Sequence, residues 1–91
     1  MCIEETIENL EGDFCELAYA EGDKQTIRKL EKLIDKCKDS INRLKSVETN
    51  NRLSAEYVDD CKSRLNLVII ASKNRISELR AIDAEIVSFI R

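Results

Sequence analysis

Apolar residues in this chain recur at steps of three and four in three separate stretches, and no proline interrupts any of them. The first series is Ile3, Ile7, Leu10, Phe14 and Leu17. The second is Ile27, Leu30, Ile34, Cys37, Ile41 and Leu44, widened by Leu33. The third runs through Val58, Cys61, Leu65, Val68, Ser72, Arg75, Leu79, Ile82, Ile86 and Phe89. Such spacing is that of a helix face; the period-two alternation of a half-buried strand is missing. It predicts helices over 3–20, 24–47 and 54–90, hence an all-α chain. At 91 residues, these make one domain over 1–91, near the lower end of sizes that bury an adequate core alone.

The punctuation between the series agrees. Gly22 suits the left-handed position just past a helix, and Asp23 can cap the next one. The polar stretch "SVETNNRLS" makes a second loop, and Ser54 is placed to cap helix three. Leu53 and Val58 have the spacing of a hydrophobic staple around that cap. Gly12, inside helix one, costs about 1 kcal/mol relative to alanine and makes that helix the weakest. Short connections favour antiparallel neighbours, so the expected architecture is an antiparallel three-helix bundle. At 1.5 Å per residue, helix three reaches about 55 Å against about 35 and about 27 Å for its partners, an extended third helix.

"RLNLVIIASKNRI", residues 64 to 76, carries apolar side chains nearly all round. In a bundle each helix packs against two others, so the arc over 65–71 is expected to be wholly internal. Residues 79–91 fall beyond the expected reach of helices one and two. The spacing therefore offers Leu79, Ile82, Ile86, Phe89 and Ile90 as partner-binding residues, because exposed apolar patches mark interfaces. The competing expectation is a break near Arg80–Ala81, with the tail folded back onto the bundle.

Charge is divided between the helices. Residues 1–23 hold eight acidic side chains and no basic one, whereas residues 24–48 hold eight basic against four acidic. An acidic first helix against a basic second one accounts for most of this, since opposite fields help select neighbours. A second contact candidate is the basic strip Lys24, Arg28, Lys32 and Lys36, offered to an acidic partner. Nucleic acid is a poor candidate for that partner: the net charge is −3 and no aromatics interleave the strip.

Chemistry is hard to build from these residues. The chain has no histidine to serve as a general base and only two isolated glycines, so phosphate-cradling loops and Ser–His or Cys–His pairs are excluded. Cys2, Cys15, Cys37 and Cys61 form no C-x-x-C pair. They read as reduced thiols, two of them core residues, with a disulfide as the alternative. No cofactor and no metal are expected. No apolar run reaches the roughly 18–20 residues of a membrane span, and the acidic start does not resemble a targeting peptide. The expected location is cytoplasmic or nuclear.

"INRLKSVETNNR" followed by a long helix resembles the junction of helices two and three in BAG domains, which bind heat-shock chaperones. The length and helix order are similar to the three-helix N-terminal regulatory domains of SNAREs. "AEGDKQTIRKLEKLIDKCKDSINRL" resembles part of tubulin-binding cofactor A. These resemblances imply a co-chaperone or trafficking-regulatory role. The expected function is a non-catalytic protein–protein interaction module. Its alternative is a self-assembling homodimer or coiled coil whose seam runs from Val58 to Phe89, with Ser72 and Arg75 as register-setting polar layers.

Overall fold

A computed structural model describes residues 3–20, 24–49 and 54–90, with side chains described except at 47–49 and 83–90. Three helices follow one another: α1 (Ile3–Ala18), α2 (Lys24–Thr49) and α3 (Ala55–Ile90). Each packs against both others, with α2 against α3 the most extensive pairing. The all-α three-helix expectation holds. Helix one ends two residues early, in a turn closed by the Ala20 N–H donating to the Leu17 carbonyl at 3.3 Å. Helix two runs two residues longer than its apolar series suggests.

The core is aliphatic. Ile7 and Leu10 from α1, Leu30, Leu33, Ile34, Cys37 and Leu44 from α2, and Val58, Cys61, Leu65, Val68, Ile69, Ile76 and Leu79 from α3 form one buried cluster. Ile3, Phe14, Leu17, Ile27, Ile41 and Tyr57 pack against its edge. Ser54 caps α3 as expected. Its Oγ accepts from the Tyr57 N–H at 3.2 Å and its carbonyl from the Val58 N–H at 3.1 Å. Gly22, Asp23 and Leu53 lie outside the described residues.

Two cross-helix bonds fix the register of α1. The Tyr57 hydroxyl donates to Glu4 Oε1 at 3.0 Å, and Arg64 grips Glu11 with two donors, at 2.6 and 3.3 Å. Both pairs are 53 residues apart, so α1 runs parallel to α3 with that offset. Ala18, the last residue of α1, is therefore level with Ala71. Past that level α3 keeps α2 alone beside it, which runs the opposite way: Arg80 bonds Glu31 at 3.1 Å. The molecule is a three-helix bundle that narrows to a helix pair. Its long axis of 58 Å and radius of gyration of 16.0 Å, against about 12 Å for a compact chain of this length, follow from that shape.

Nothing would touch a Cβ added at Gly12, which is exposed in mid-helix. Gly12→Ala is expected to stabilise the fold by about 1 kcal/mol, raising the thermal midpoint by roughly 4–8 °C in circular-dichroism melts.

Candidate interaction surface

The buried face of α3 follows the third apolar series from Val58 to Leu79, widened by Ile69 and Ile76, and this decides where contacts with other chains are possible. Val58, Cys61, Leu65, Val68, Ser72 and Leu79 all lie inside the bundle. The seam expected to join two copies is therefore occupied by α1 and α2. Ser72 is fully buried and its Oγ has no hydrogen-bond partner among the described residues; nor has the buried Arg75 Nε. Arg75 does reach Glu78 at 3.2 Å. This polar pair sits just past Ala71, at the step from three helices to two.

Two expectations need correction. Leu79 is only 3% exposed, so it is core and not a contact residue. Helix α2 starts at Lys24, as expected, but the Glu31–Arg80 bond sets it alongside the C-terminal part of α3, with seven residues or about 10 Å of α2 beyond that pair. The arc over 65–71 is not wholly internal either. Leu65, Val68 and Ile69 are buried, but Leu67 is 66% and Ile70 55% exposed. With only two neighbours on one side, α3 cannot hide a full circumference.

Ile82 remains a surface residue, 48% exposed. Helix α3 is unbroken past Arg80, so the tail does not fold back at Arg80–Ala81. The side chains of Ile86, Phe89 and Ile90 lie outside the described set.

The basic strip divides. Lys32 and Lys36, joined by Lys29, line an open groove of about 240 Å³ between α1 and α2, opposite Asp13 and Glu16 and floored by Leu17 and Leu33. Lys24 and Arg28 are exposed outside it. The acidic and basic helices thus meet across this groove, as their charges suggest. It is smaller and more open than the clefts of roughly 300–1,000 Å³ that bury small ligands.

Of the cysteines, Cys37 and Cys61 are buried and Cys15 is exposed, all as free thiols; Cys2 is outside the described residues. Burial pushes the Cys37 thiol from 9.0 up to about 11. Burial, then the bond to Glu4, pushes Tyr57 up to about 12. Among the described residues no group of three or more His, Cys, Asp or Glu could hold a metal ion, and no helix is long and apolar enough to cross a membrane. Compared with protein-family models, curated proteins and solved structures, the chain matches none.

Proposed function

We propose that this chain is a non-catalytic interaction module that binds another protein chain along the outward face of α3. The observation that carries the reading is the exposure of Leu67 and Ile70 on one helix whose opposite face is already committed to the core. Large apolar side chains scattered singly on a surface need no explanation, but Leu67 and Ile70 are one helical turn apart and adjoin an uncharged strip.

A photo-crosslinking amino acid at position 70 tests the reading in cells that make the protein. Adducts to a protein chain are expected at 70, to vanish when Leu67→Glu is added, and to be absent when the probe replaces Asp39 on α2. Equal labelling at 70 and 39, or none at 70, overturns it.

A further inference from the structure

The outward face of α3 carries a second heptad series, independent of the one buried in the bundle. Ser63, Leu67, Ile70, Asn74, Ser77 and Ala81 follow at steps of four, three, four, three and four, and all six are exposed. None is charged, in a chain that is 36% charged. At 100° per residue the centre of this series lies about 180° around α3 from the buried one. It can therefore be engaged without displacing the side chains that α1 and α2 pack into the core.

We infer that this face is a parallel two-stranded seam closed by a second copy of the chain. The inference rests on the protein-binding reading above and names its partner. With Leu67 and Asn74 at position a and Ile70 and Ser77 at position d, the flanking g and e positions can be read directly. In a parallel pair each g residue faces the e residue five places later on the other strand. Asp59 then faces Arg64, and Lys73 faces Glu78. Both charged pairs are opposite in sign. Each would form twice by symmetry.

Lys73 is exposed and makes no ion pair among the described residues. Pairing with Asp59 draws Arg64 off Glu11, leaving the Tyr57–Glu4 bond and the core contacts to hold α1, and Glu78 off Arg75; surface bonds of this kind exchange at little cost. Asn74 stands at an a position, where a parallel register places it opposite its own copy and the two amides can bond each other. A single buried asparagine of this kind selects two strands in one register, at some cost in affinity. Leu67 and Ile70 supply the apolar centre, and the small Ser77 and Ala81 allow close approach beyond it. Asp60, at the preceding a position, bounds the seam on the N-terminal side.

Sedimentation equilibrium of the full chain over a concentration series reads the outcome. A reversible monomer–dimer equilibrium is expected. Leu67→Glu should weaken it by about 100-fold while helicity and thermal midpoint stay unchanged, because the side chain is exposed in the single chain. Lys73→Glu should weaken it severalfold, and adding Glu78→Lys should restore it.

Orientation is read separately. Ser77→Cys, in a chain whose Cys2 and Cys15 are serine, should form a 77–77 disulfide under mild oxidation; Asp39→Cys in the same background should not. A single-chain mass at every concentration, a dimer indifferent to Leu67→Glu, or failure of the 77–77 disulfide overturns the inference. If the mass stays that of one chain while position 70 still crosslinks to a foreign protein, the binding module stands and only the second copy is refuted.

Discussion

Leu65→Ala is expected to destabilise the fold by about 2–5 kcal/mol, whereas the same truncation two residues later, Leu67→Ala, should change it by less than about 0.5 kcal/mol. Leu65 is fully buried on α3, in the section where all three helices run together. Its truncation removes dispersion contacts and leaves a cavity that helices pinned on both sides can close only in part. A domain of this size holds a total of roughly 5–14 kcal/mol, so the loss is a large fraction of its stability. The thermal midpoint should fall by roughly 4–8 °C per kcal/mol. Urea unfolding followed at the helical band, with both variants measured beside the parent, checks the pair. If Leu65→Ala and Leu67→Ala cost the same, the core face of α3 is rotated from the one described.

That contrast also marks what could be read from the sequence. Three series of apolar residues predicted three helices, and the buried apolar members of α1 and α2 belong to those series. Ser54 identified itself as a cap because a hydroxyl at that position satisfies a free N–H at the start of a helix. The relative placement of the helices was not legible. It depends on pairs such as Tyr57–Glu4 and Arg64–Glu11, which are ordinary surface residues until the 53-residue offset brings them together. Without that offset α1 could not be seen to stop level with Ala71, nor α2 to run on past Arg80, and Leu79 looked exposed.

The second series on α3 was hidden for another reason. Two of its six members are serine, one is asparagine and one is alanine, so hydropathy does not single it out. Its meaning appears only once the other face is known to be filled. Leu67 and Ile70 were conspicuous in the sequence as an excess of apolar side chains, but "RLNLVIIASKNRI" alone did not tell which of them the bundle would leave outside.

The same buried face makes the protein sensitive to alkali. Cys37 lies wholly inside the core, and its thiol titrates near 11 in the folded chain against 9.0 ordinarily. Below pH 9 the thiol is protonated in both states and contributes no pH dependence. Between about 9 and 11 the unfolded chain loses this proton while the folded chain keeps it, so stability falls as pH rises. The total loss from this one group is roughly 2–3 kcal/mol, and it levels off above the folded value.

Cys37→Ala separates this effect from other alkaline titrations. Near neutral pH the variant should be less stable than the parent by about 1 kcal/mol, the cost of a cavity the size of one small group. By pH 11 the parent has taken the larger penalty and the variant none, so the order of stability reverses. Tyr57, itself pushed up to about 12, acts in the same direction but is present in both chains and cancels in the difference. Urea midpoints of the two proteins measured from neutral pH to above 11 should cross. Parallel curves would mean that the thiol is not held protonated by the core, and that Cys37 does not occupy the fully buried position on which the packing of α2 depends.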